Sequence, residues 1–343
     1  MSDQGIGQPG PGGYPQQPGN QVPPAPPGTP PPAYEPPPYM QSPAQPPVKR
    51  GKGGIVAAIV VVVAMCALAG CAVLGIVVFK GGSDKKSIEK AEEHFNVAIG
   101  AVESATASLE AIQKGDSSVS ETGEVIQDAA DSLRTARDEI TSAGAIAEGW
   151  KDSQGKTDYL AGLAATTESL DALEDLVAYL DTASGMLAKT KKAGKEATAG
   201  NDALSDAVSA GNRSKYSLMR SKGQKASAHF VKAALLFREA HNLDKSAGLD
   251  KSAKYADLRK KQSDVVVRQA AAGLARRFSA YNADVKKVNA YNKRASNVGE
   301  PAIVSDPNWA EKRLEKLDTR ITKASEQADE LRSKALRELG YTQ

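Results

Sequence analysis

Three regimes of hydrophobic patterning follow one another along this chain. The first 54 residues carry almost no aliphatic side chains. A run of 25 apolar or small residues, Ile55 to Phe79, then passes without a single charge. From Ser83 onward apolar residues return at alternating intervals of three and four, with polar ones between, which is the pattern of helices that bury one stripe against a neighbour.

The third regime divides into helices at its own punctuation. Over 84–114, Ile88, Phe95, Val102 and Leu109 recur every seven residues, and Ala91, Ala98, Ala105 and Ile112 follow three residues after each. A large residue at one seam position and a small one at the other lets two helices approach closely. Gly115-Asp116-Ser117 interrupts the pattern. It resumes over 119–148 with Ile126, Leu133 and Ile140 against Ala129, Ala136 and Ala143. So short a connection predicts that the first two helices run antiparallel.

A third helix is expected after Ser153-Gln154-Gly155, with Leu163, Leu170 and Val177 beside Leu173, Leu180 and Leu187. It extends towards Ala210, and Gly194, Gly200 and Gly211 are candidate bends or stops. The fourth, 213–243, sets Phe230 and Phe237 against Ala226, Ala233 and Ala240. The fifth, 251–297, uses Leu258, Val265, Leu274, Phe278, Tyr281, Val285 and Val288. Asp306 as N-cap and Pro307 at the first helical position predict a last helix over 307–339. Its buried stripe would be Leu314, Leu317, Ile321, Ala324, Ala328, Leu331 and Ala335.

The expected fold is therefore all-α: one transmembrane helix, then a bundle of about six long antiparallel helices with coiled-coil-like seams. At about 1.5 Å per residue, 55–79 is long enough to cross a hydrocarbon layer of about 30 Å. Within it Ala64, Ala67, Cys71 and Gly75 form a small-residue face that predicts homodimerisation through the span. Leu68-Ala69-Gly70-Cys71 resembles a lipobox, but a long tail precedes it and eight apolar residues follow. Lys49, Arg50 and Lys52 before the run are unmixed with acids, whereas Asp84, Glu89, Glu92 and Glu93 accompany the lysines after it. That asymmetry, and the prior for first spans, place the tail in the cytoplasm and the C-terminal domain outside the cell membrane.

Composition changes the picture of the tail. Seventeen of the 19 prolines precede residue 48, and a segment so poor in apolar surface is predicted to be disordered. Pro31-Pro32-Ala33-Tyr34 and Pro36-Pro37-Pro38-Tyr39 resemble WW-domain ligands, which makes Tyr34 and Tyr39 candidate docking residues for a protein partner. Gly5-Ile6-Gly7-Gln8-Pro9-Gly10 has the spacing of a dinucleotide fingerprint but follows no strand and opens no helix. Both cysteines, Cys66 and Cys71, lie in the apolar run, so disulfides and thiolate metal sites are excluded from 80–343. The plan of tail, basic cluster, span and Cys-free outer domain resembles that of single-pass surface proteins of high-GC Gram-positive bacteria. The resemblance implies an envelope location and carries no functional residues.

Charge divides the helical part in two. Residues 84–181 hold 21 acidic and 8 basic side chains, whereas 182–299 hold 9 acidic and 24 basic ones. Mutual attraction of the halves is one reading. The other is that the basic half contacts a polyanion such as an envelope polymer or lipid headgroups. The candidate contacts are Lys189, Lys191, Lys192, Arg259, Lys260, Lys261, Arg268, Arg276, Arg277, Lys286 and Lys287, with Lys261, Arg268 and Arg276 on one stripe of the fifth helix.

No catalytic signature accompanies these charges. His94, His229 and His241 do not converge at metal-binding spacings, and hydrolase, zincin and phosphate-loop motifs are absent. No cofactor is expected, nor an enzyme. The reading is a structural or binding module at the cell envelope. Its rivals are a scaffold that recruits partners through the Pro-rich tail, or an inverted topology with a cytoplasmic helical domain. Nucleic acid is disfavoured, because no aromatic interleaving or reader motif accompanies the basic residues.

Overall fold

The computed structural model describes residues 78–79, 85–113, 119–302 and 309–342. Among them seven α-helices follow one another: α1 (Lys85–Gln113), α2 (Val119–Glu148), α3 (Gln154–Asn212), α4 (Tyr216–Leu243), α5 (Asp250–Leu274), α6 (Phe278–Val298) and α7 (Glu311–Glu338). One turn of 3₁₀ helix, Lys245–Ala247, joins α4 to α5. A two-residue ladder pairs β1 (Val78–Phe79) antiparallel with β2 (Tyr341–Thr342).

The axis of the molecule is α3. Its 59 residues correspond to about 88 Å at 1.5 Å per residue. The first half belongs to a bundle with α1, α2 and α7. Down its length Gly155 meets Leu339, Ser169 meets Ser325, Asp175 meets Arg320 and Tyr179 meets Arg313, so α7 runs antiparallel to it. The second half belongs to another bundle with α4, α5 and α6. There Lys189 meets Glu239, Glu196 meets His229 and Asp206 meets Lys222 along an antiparallel α4.

Small residues bring these partners close. At Gly162 an added Cβ would come within 3.2 Å of the Arg332 backbone nitrogen, and at Gly200 within 2.9 Å of the Phe230 ring. Gly155, Gly162 and Ser169 recur every seven residues, a seam for α7 beside the leucine seam read from the sequence. Most of the expected large/Ala positions are buried, including Ile88, Phe95, Leu133, Ile140, Phe230 and Phe237. Each such large apolar side chain contributes about 1.5–3 kcal/mol.

Local chemistry sets the joints. The Ser153 hydroxyl accepts the Lys156 amide at 3.1 Å and caps α3. The Lys156 ammonium turns back to the carbonyls of Glu148 and Trp150, at 2.8 and 3.0 Å, and closes the end of α2. Gly248 supplies the left-handed conformation (φ 67°) that leads the 3₁₀ turn into α5.

Several expectations require correction. The fifth helix is two, α5 and α6, separated at Ala275-Arg276-Arg277, so the described residues form seven helices rather than six. No Gly or Pro marks that turn. The chain reverses because Arg276 adopts the left-handed region and the Arg277 amide bonds the Ala272 carbonyl at 2.8 Å. Gly194 and Gly200 do not stop the helix, which continues past both to Asn212; as its expected extent already implied, the boundary between acidic and basic halves falls inside α3. The last helix begins at Glu311 with Ala310 as N-cap; Asp306 and Pro307 lie outside the described residues. In its buried stripe Arg332 and Leu336 point inward, and Leu331 is only half-buried.

Among the described residues no helix is long and apolar enough to cross a membrane. The run 55–77, with Ala64, Ala67, Cys71 and Gly75, lies outside them, as do Tyr34 and Tyr39 of the tail. Val78 and Phe79, expected to end the span as helix, are instead strand. Their backbone groups pair with Tyr341 and Thr342 just beyond the end of α7.

Candidate binding surface

The charge division coincides with the two bundles, but the bundles do not neutralise one another. The ion pairs seen among the described residues lie within one bundle. In the first, α7 supplies Arg320, Arg332 and Lys334 to Asp175, Glu92 and Asp158. Arg137 of α2 bonds Glu174 and Asp171 of α3, and those carboxylates push its already high pKa further up. The Lys334 ammonium, 2.8 Å from Asp158, holds that carboxyl below the usual carboxylate range. The acidic half thus takes counter-charges from α7 in addition to those of its own Lys85, Arg134, Arg137 and Lys156.

A buried network that the hydrophobic pattern does not reveal lies at the centre of this bundle. The Arg332 guanidinium bonds both carboxylate oxygens of Glu92, and the Tyr159 hydroxyl donates to Glu92 Oε1 at 2.9 Å. The guanidinium also lies 4.1 Å from the centre of the Phe95 ring. Near the other end of α7, burial pushes the Asp318 carboxyl and the Tyr179 hydroxyl up. His94 bonds Glu139, which joins α1 to α2, and His229 bonds Glu196. Among the described residues no three His, Cys, Asp or Glu side chains are grouped to hold a metal ion.

The basic residues named from sequence separate into three sets. Lys189, Arg259, Lys260, Arg268 and Lys287 are engaged within the fold. Lys189 pairs with Glu239 at 2.6 Å, Lys260 with Asp264 at 2.8 Å, and Arg268 and Lys287 share Asp284 at 3.5 Å. Arg259 bonds Tyr255, Gln262 and Asn292, which fastens α6 to α5, so its first role is packing. Lys191, Lys192, Lys261 and Lys286 are exposed along the bundle and make no ion pair among the described residues.

Arg276 and Arg277 form the third set, at the far end of the second bundle. Arg276 therefore shares no helix with Lys261 and Arg268, and the expected stripe of three does not exist. The α5–α6 turn instead lies beside the α3–α4 turn, Arg213-Ser214-Lys215, with the Tyr216 and Tyr281 rings in edge contact at 5.7 Å. Sequence reasoning does not single out this second turn as part of a site. The available signal is two stretches without an acidic residue, 207–238 and 265–283, whose loops fold to the same end.

No family model, curated protein or solved structure matches this chain. Fold and surface together define, among the described residues, a helical part of two bundles threaded by one helix, with its excess positive charge carried by the second.

Proposed function

We propose that this protein is a membrane-anchored, non-catalytic helical module. In this reading the 55–79 run spans the cell membrane, the Pro-rich tail is cytoplasmic, and the helical part stands outside, its second bundle binding an anionic envelope polymer or lipid. The supporting observation is the segregation of charge. The first bundle draws counter-ions from α7, whereas the second keeps Lys191, Lys192, Lys261, Lys286, Arg276 and Arg277 exposed without ion-pair partners among the described residues. Such a surface attracts polyanions through many individually weak contacts, which salt screens within about 8–10 Å.

Retention of the full chain on isolated envelopes tests the reading. Binding should weaken as salt is raised and on combining Lys191→Gln, Lys192→Gln, Lys261→Gln, Arg276→Gln and Arg277→Gln. Binding indifferent to both would refute it. Proteolysis of intact cells should remove the helical part and spare the tail; the reverse result would overturn the orientation.

A further inference from the structure

The far end of the second bundle combines features that a polyanion surface alone does not require. Two helical hairpins turn there, and they turn in the same way. In each, the amide five residues on bonds back to the same kind of terminal carbonyl: Lys215 to Ala210 at 2.9 Å, and Arg277 to Ala272 at 2.8 Å. In each, the residue before that amide is left-handed and is not glycine: Ser214 at φ 57° and Arg276 at φ 55°. Glycine is the ordinary occupant of that position, and an arginine there retains its charge against a backbone preference.

The turns carry Arg213, Lys215, Arg276 and Arg277, all exposed, and Arg220 follows one turn of helix later. No acidic residue lies between 207 and 238 or between 265 and 283. Large apolar side chains stand exposed among these cations: Leu218 at 46%, Leu274 at 48% and Phe278 at 38% of their full surface. Leu274 and Phe278 bracket the α5–α6 turn, where the heptad pattern would have placed them in a seam. A soluble polyanion has no use for apolar groups at a cationic tip. A lipid surface does, since headgroups take the cations and the acyl boundary takes the apolar side chains.

We infer that the paired turns 213–215 and 275–277 are a docking tip for an anionic lipid surface. This rests on the proposed binding role of the second bundle and narrows its partner. The chain enters the helical part beside β1 and the start of α1, where Ser87 accepts a hydrogen bond from the Trp150 indole at 3.0 Å and Gly155 abuts Leu339. The tip is the opposite end of α3, about 88 Å away. A tip so far from where the chain enters the helical part can reach a surface other than the membrane that holds the span.

The full chain, its span held in phosphatidylcholine nanodiscs, is mixed with phosphatidylcholine vesicles with or without phosphatidylglycerol and co-flotation is measured. Capture by the anionic vesicles alone is expected. Arg276→Gln and Arg277→Gln should each weaken it about fivefold, and Leu274→Ser with Phe278→Ser on the order of tenfold or more. Arg276→Gly removes the charge while giving the turn the residue it prefers, so weaker capture at unchanged or higher melting temperature would separate docking from folding. Lys90→Gln with Lys151→Gln, exposed on the first bundle, should change capture little. If anionic vesicles are held through Lys191 and Lys192 and not through the tip, the tip assignment is wrong while the broader binding role stands. Binding of soluble polyphosphate without any capture of vesicles would overturn the tip in the same way. If neither binds, both fall.

Discussion

Arg332 and Glu92 come from the two ends of the helical part, 240 positions apart, and meet with side chains almost wholly removed from water. A carboxylate left there without its guanidinium keeps the desolvation penalty and loses the compensation. Arg332→Ala should therefore destabilise the protein by about 3–5 kcal/mol. Glu92→Leu combined with Arg332→Met and Tyr159→Phe should recover much of that, since apolar groups of similar size leave neither the charges nor the Tyr159 hydroxyl unpaired. Urea unfolding followed by circular dichroism measures both, and an Arg332→Ala variant within about 1 kcal/mol of the parent would show the pair to be incidental. A stripe drawn by apolarity alone runs through Leu331. An inward arginine is invisible to that criterion until its partner on another helix is known.

At the scale of elements, α3 has two kinds of glycine. Gly194 has nothing within 4 Å of where a Cβ would stand, whereas Gly162 faces the α7 backbone. Gly194→Ala should raise stability by about 1 kcal/mol through helix propensity alone. At Gly162 the same gain is opposed by an overpacking cost of about 1–3 kcal/mol, because helix backbone yields less readily than a side chain, so Gly162→Ala should destabilise. Thermal melts of the two variants would settle the contrast, and equal shifts would contradict the close α3–α7 seam. The leucine heptads of α3 are legible because their period is local. Whether a glycine breaks a helix, or lets another approach, depends on what lies opposite. The same limit hides the turn at 275–277: its apolar residues continue the helical period, and the left-handed Arg276 carries no stop signal in its side chain.

For the whole molecule, the consequence of an unbroken α3 is length. With Cys66 and Cys71 replaced by alanine, cysteines introduced at Thr157 and Asn212, both exposed, would carry a dye pair. Their separation should be about 83 Å. Single-molecule transfer showing a much shorter distance would mean that α3 folds back between its halves, and the tip would then lose its distance from the span. An all-helical part built on seams of large residues and alanine was determined by the sequence itself, as was its division into acidic and basic stretches, since periodicity and charge are properties of neighbouring residues. The tertiary structure alone decided that the two halves of α3 pack into separate bundles and that α7 returns to supply the acidic bundle with counter-charge. It also decided that two turns 62 residues apart, at Ser214 and Arg276, close the same end. Those outcomes depend on which faces meet across long sequence separations, and a local pattern holds no record of them.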